Sequence, residues 1–148
     1  MPSIDATLDT VQAPHRCGVL IIDDDADIRE LLRVALTADG YSVAGVPDGR
    51  EALHYLRSHA DTCIILLDLL LPIMDGAQFR AVQLKDRALA WIPLVVMSAD
   101  VDAERRARDI GARRLVHKPL DLDEIRQALR TIGCCQARPR AATRKAGR

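Results

Sequence analysis

From Gly18 onward the chain repeats one pattern five times: a short apolar run with little polar alternation, then a longer amphipathic stretch. "GVLIID" leads into "ADIRELLRVALTAD", "YSVAGV" into "GREALHYLRSH" and "CIILLD" into "DGAQFRAVQLKD". "IPLVVMS" leads into "DAERRARDIG", and "RRLVHK" into "DLDEIRQALRTI". A strand that is apolar at nearly every position has to be covered on both faces. The stretches in between have the helical spacing to cover it. Ile28, Leu31, Leu32, Ala35 and Leu36 share one face of the first helix, and Ala52, Leu53 and Leu56 one face of the second. Leu122, Ile125, Leu129 and Ile132 do the same on the last. Five strand–helix pairs with short connections predict an α/β fold: a five-stranded parallel sheet with helices on both faces and right-handed crossovers. Gly40 is placed to end the first helix, and Asp25 and Asp75 to cap the N-termini of the first and third. The pattern alone leaves the strand order open.

Ligands of open α/β sheets lie outside the carboxyl ends of the strands. The first strand ends in Asp23 and Asp24, the third in Asp68, the fourth in Ser98, and the fifth in Lys118 followed by Pro119. The second, ending in Val46 and Pro47, offers nothing polar. Singly, each of these residues has a plain explanation: the first polar residue of a loop, a helix-start serine, a solvated lysine. Together at one edge of one sheet they make a site. Three crowded acids suit a hard divalent cation with oxygen ligands, Mg²⁺ or Mn²⁺. A lysine and a hydroxyl suit the oxygens of a phosphoryl group. The chain contains neither G-x-x-x-x-G-K nor G-x-G-x-x-G, so a nucleotide is not the implied ligand. A carboxylate that itself accepts the phosphoryl group fits better.

The motifs "LIIDDD", "LLDLLLPIMDG", "VVMSAD" and "HKPL", in this order and spacing, resemble the receiver domain of bacterial two-component response regulators. The likeness covers Cys17 to Gly133 and is similar to single-domain chemotaxis regulators. It implies a (βα)5 flavodoxin-like, doubly wound sheet with strand order 2-1-3-4-5. It implies a phosphoacceptor at Asp68, within D-x-x-L-P-x-M-D-G. It also implies Mg²⁺ held directly by Asp24 and Asp68 and by the backbone carbonyl of Leu70, with Asp23 orienting the ion through a water. Ser98 would hydrogen-bond the phosphoryl group, and Lys118 would contact Asp68 and then the phosphate. A cis peptide would precede Pro119. The implied partners are a sensor histidine kinase or histidine phosphotransfer protein and a downstream protein target. The implied role is a phosphorylation-dependent switch, not an enzyme beyond its own phosphorylation and dephosphorylation. The alternative is a phosphorelay intermediate or phosphate sink without output of its own. A haloacid dehalogenase-type hydrolase would need a second acid two residues after the nucleophile, and position 70 is leucine.

Two positions depart from the family's pattern. Leu115 stands where an aromatic residue usually precedes the lysine by three. Leu70 cannot orient a hydrolytic water, so self-dephosphorylation is expected to be slow, with Asp100 as a partial substitute.

Charge bears on partners. Residues 17–133 hold 15 basic and 19 acidic side chains, while Arg138, Arg140, Arg144, Lys145 and Arg148 follow with no acid among them. The expected organisation is a loose leader over 1–16, a receiver domain over 17–133 and a short basic tail over 134–148. An acidic domain with so short a tail is not expected to bind DNA. The longest near-apolar stretch, "CIILLDLLLPIM", is broken by Asp68 and Pro72 and is too short to span a bilayer. No membrane insertion and a cytoplasmic location are therefore expected. Cys17 and Cys63 read as small core residues. Cys134 and Cys135 are adjacent and lack C-x-x-C spacing, and none of the four histidines has zinc-ligand spacing to a cysteine.

Overall fold

Gly18–Ile22 (β1), Ser42–Val46 (β2), Thr62–Asp68 (β3), Leu94–Ser98 (β4) and Arg114–His117 (β5) pair in parallel in the order β2-β1-β3-β4-β5. This closes the question of strand order. The structure is a computed structural model and describes residues 17–133. Five helices alternate with the strands: Ala26–Ala38 (α1), Gly49–Ser58 (α2), Gly76–Lys85 (α3), Ala103–Asp109 (α4) and Leu122–Ile132 (α5). Every residue of β1, β3 and β4 is buried, as continuous apolar runs require, while β2 and β5 at the edges are partly open.

Side-chain alternation along the strands divides the core into two layers. Val19, Ile21, Ile64, Leu66, Val95, Met97 and Val116 face α1 and α5. Leu20, Ile22, Ile65, Leu67, Leu94 and Val96 face α2, α3 and α4. Cys17 and Cys63 lie in the first layer, and Cys63 is a free thiol. Cys134, Cys135, the leader and the basic tail lie outside the described residues.

The amphipathic faces are largely as the spacing predicts, with one correction. Leu32 and Leu36 are fully buried and Ile28 packs beside them, but Leu31 is 48% exposed. The inward stripe of α1 follows Ile28, Leu32 and Leu36 at four-residue steps. Leu31, about 100° away from Leu32 around the axis, turns to solvent. The caps are where the sequence places them. Asp25 Oδ1 accepts from the N–H groups of Asp27 and Ile28, and Asp75 forms a reciprocal capping box with Gln78. Gly40 follows α1 at φ 103°, a conformation that strongly favours glycine.

Two buried polar residues on α3 were not foreshadowed by any motif. Arg80 donates to the carbonyls of Ile110 (2.8 Å) and Gly111 (3.2 Å) and to Gln83 Oε1 (2.8 Å). Gln83 donates in turn to the carbonyls of Leu89 and Ile92. This network ties α3 to the C-terminal end of α4. Burial pulls the Arg80 guanidinium below its ordinary pKa. Arg80→Met would leave the buried Gln83 Oε1 without its donor and release two partly exposed carbonyls, and a buried group left unsatisfied costs about 1–3 kcal/mol. The expected result is a drop in unfolding free energy of about 3 kcal/mol. Urea denaturation checks it, as a lower midpoint at unchanged slope.

Candidate functional site

Alternation along three strands carries the site. Asp23 continues the face of Val19 and Ile21, Asp68 that of Ile64 and Leu66, and Lys118 that of Val116. All three therefore emerge on the α1/α5 side of the sheet's carboxyl edge. Asp24, one residue further along, lies at the exposed mouth. Asp23 is completely buried, and the Asp68 side chain is 9% exposed. One oxygen from each of Asp23, Asp24 and Asp68 lies within 4.8 Å of the others.

Lys118 binds this pocket together. Its Nζ donates at 2.9 Å to Asp23 Oδ2 and at 2.9 Å to Asp68 Oδ2. The remaining oxygens take backbone donors: Asp23 Oδ1 accepts from Asp25 N–H (2.9 Å) and Asp68 Oδ1 from Leu70 N–H (3.0 Å). Burial raises the pKa of Asp23, and the neighbouring charge of Asp68 adds to the rise. The hydrogen bonds from Asp25 N–H and Lys118 oppose it. Burial, more than repulsion within the acidic run, is thus what disfavours the Asp23 carboxylate. On Lys118 burial acts downward, but the hydrogen bonds and charges of Asp23 and Asp68 outweigh it and its pKa is raised. The Lys118–Pro119 peptide is cis.

The β3–α3 loop is shaped by the same edge. A Cβ on Gly76 would come within 3.0 Å of the Leu69 Cα and 3.2 Å of the Asp68 carbonyl, so glycine permits this close approach. Ile73 adopts φ 65°, and Met74 N–H bonds the Pro72 carbonyl at 2.6 Å. Leu70 and Ile73 are exposed beside the pocket.

Ser98 is placed differently. It continues the face of Leu94 and Val96, on the opposite side of the sheet from Asp68. It is fully buried, and its Oγ accepts from Asp100 N–H at 3.0 Å. Asp100 is itself committed. Its Oδ1 accepts from Asp102 N–H (2.9 Å) and its Oδ2 from Arg106 Nη1 (2.6 Å). These bonds lower its pKa. Each Asp100 oxygen thus carries one hydrogen bond, to the backbone of Asp102 and to the side chain of Arg106. Leu115 packs against the α2–α4 layer.

The donor set fits a hard divalent cation: three carboxylates, oxygen only, converging from two neighbouring strands. The fold and this pocket define a flavodoxin-like α/β domain with an acidic, lysine-bridged cluster at its carboxyl edge. The chain belongs to the response regulator receiver domain family, which its residues 19–130 match. It is accordingly a phosphorylation switch rather than a true enzyme, and its acidic cluster is typical of the receiver Mg²⁺ site.

The chain is 36% identical over 115 residues to the response regulator MprA of Mycolicibacterium vanbaalenii, covering 77% of this chain and 49% of that protein. It is 31% identical over 152 residues to the transcriptional regulatory protein TcrA of Mycobacterium tuberculosis, covering 97% of this chain and 59% of that one. The chain thus spans about half the length of the curated relatives it matches. Among solved structures it resembles a response regulator receiver protein from Pseudomonas putida (TM-score 0.73, 25% identity, 78% of this chain and 97% of that one). It also resembles the chemotaxis protein CheY4 of Vibrio cholerae (TM-score 0.67, 26% identity, 77% and 99%). Among the described residues no helix is long and apolar enough to cross a membrane.

Proposed function

We propose that Asp68 is the phosphoacceptor of a signalling switch fed by a sensor histidine kinase or a histidine phosphotransfer protein. The observation that carries this reading is the Lys118 ammonium held at 2.9 Å from both Asp23 and Asp68. Asp68 Oδ2 attacks the phosphorus of a phosphohistidine as the N–P bond breaks, and the departing imidazole takes a proton. Leu70 N–H fixes the orientation of the Asp68 carboxylate through its other oxygen. Lys118 transfers its charge-assisted bond from the carboxylate to a phosphoryl oxygen, and Ser98 donates to another. When bound by Asp23, Asp24, Asp68 and the Leu70 carbonyl, Mg²⁺ or Mn²⁺ would neutralise charge on the acids and the transferring group.

Residues 17–133 form the receiver unit in this proposal, and the output is a changed protein–protein surface in the cytoplasm. The excess of acidic side chains in that unit supports protein rather than DNA partners. A second reading, control of transcription, is favoured by the likeness to TcrA, which is named as a transcriptional regulatory protein and of which the match covers 59%. Strongly salt-dependent DNA binding by the full chain would select that second reading.

The core assignment is tested by incubating the protein with Mg²⁺ and acetyl phosphate. An added phosphoryl mass, labile to hydroxylamine and mapping to the Asp68 peptide, is expected. Absence of the adduct, or its persistence in Asp68→Asn, overturns the assignment.

A further inference from the structure

We propose that the Asp100–Arg106 ion pair is a latch that holds the Ser98 hydroxyl away from the Asp68 pocket, which makes Arg106 a positioning residue for phosphoryl capture. The inference rests on the role given to Ser98 above.

Strand alternation puts Ser98 and Asp68 on opposite faces. To reach a phosphoryl group on Asp68, the Ser98 side chain has to rotate around the end of β4 and give up its bond from Asp100 N–H. That N–H is not free to follow. Asp100 is pinned by Arg106 at 2.6 Å, by Asp102 N–H at 2.9 Å, and through its own carbonyl by Ala103 N–H at 3.1 Å. Arg106 sits on α4, whose C-terminal end is itself held by Arg80. The loop over residues 99–102 is therefore fastened to a helix that is tied at its far end. The Arg106 and Asp100 side chains are 29% and 19% exposed, shielded enough to hold and open enough to release. A hydroxyl has one donor and two acceptor sites, so the Asp100 bond uses only an acceptor site of Ser98. What the latch restrains is the position of the group, not its capacity to donate.

The plain alternative is that the pair only stabilises α4, whose N-cap residue Asp102 makes no side-chain capping bond. Binding of beryllofluoride, a phosphoryl mimic, in the presence of Mg²⁺ separates the two. Arg106→Gln is expected to tighten beryllofluoride binding and to speed phosphorylation by acetyl phosphate roughly two- to fivefold, the range a partly exposed ion pair sustains. Mg²⁺ affinity should stay at the wild-type value, and Arg106→Lys should restore wild-type behaviour. In a Ser98→Ala background the Arg106→Gln gain should vanish, because the latch acts through that hydroxyl. An unchanged or weakened affinity in Arg106→Gln overturns the proposal, as does the same gain with and without Ser98. Failure of the phosphoacceptor assignment would look different: the wild-type protein itself would acquire no adduct.

Discussion

Asp24→Ala is expected to abolish measurable Mg²⁺ binding, while Asp25→Asn leaves it nearly unchanged. The two acids are neighbours in sequence, but the fold gives them different work. Asp23 and Asp68 each have both oxygens engaged, by Lys118 and by backbone N–H groups. Asp24 is the exposed member of the cluster, and no hydrogen bond or ion pair engages it among the described residues. It is the carboxylate of the cluster with the most acceptor positions open to a cation. Asp25 lies outside the cluster and caps α1. Asparagine caps helices about as well as aspartate, so its substitution spares the fold. Calorimetric titration with Mg²⁺ reads both variants. Retained binding in Asp24→Ala would remove Asp24 from the metal site.

Lys118→Met should be the most damaging single change to the pocket. It would leave the fully buried Asp23 facing Asp68 with no cation between them. Removing one partner of a buried ion pair costs about 3–5 kcal/mol. Phosphorylation by acetyl phosphate should fall to background at the same time. The stability loss should be largest in EDTA and partly recovered in Mg²⁺, since an ion bound only by the folded state stabilises it.

The pH dependence has a definite sign. The folded pKa of Asp23 is raised above the ordinary 3.8, so protonation favours the folded state. Its contribution is fully present below 3.8 and is lost as pH rises through the raised value. Removing Lys118 takes away one of the influences that hold that value down. Metal-free Lys118→Met should therefore lose more stability than wild type as pH climbs through this window. Urea denaturation in EDTA across the window measures it. Equal stability of the two proteins in EDTA would show that Lys118 does not compensate the buried acids.

Much of this was legible before the fold was known. The continuous apolar runs predicted buried parallel strands because a strand covered on both faces has no place for polar alternation. The acids and the lysine at their ends marked the pocket because parallel strands present all their carboxyl ends to one edge, whereas the serine beside them faces the other way. Leu31 was misplaced because a helical stripe has a finite width, and its exact rotation depends on the sheet it packs against. Arg80 and Gln83 were invisible because nothing local marks a polar side chain whose partners are carbonyls up to 31 residues away.

The sequence by itself determined which elements form and which residues stand at the strand ends, since both follow from local periodicity and order along the chain. Only the tertiary structure decided how those residues meet. It placed the Lys118 ammonium 2.9 Å from Asp23, 95 residues away, and it set Ser98 on the face opposite Asp68. It also used both oxygens of Asp100 in bonds to Asp102 and Arg106. These contacts depend on crossovers and strand register, which bring distant residues side by side and settle which face each one occupies.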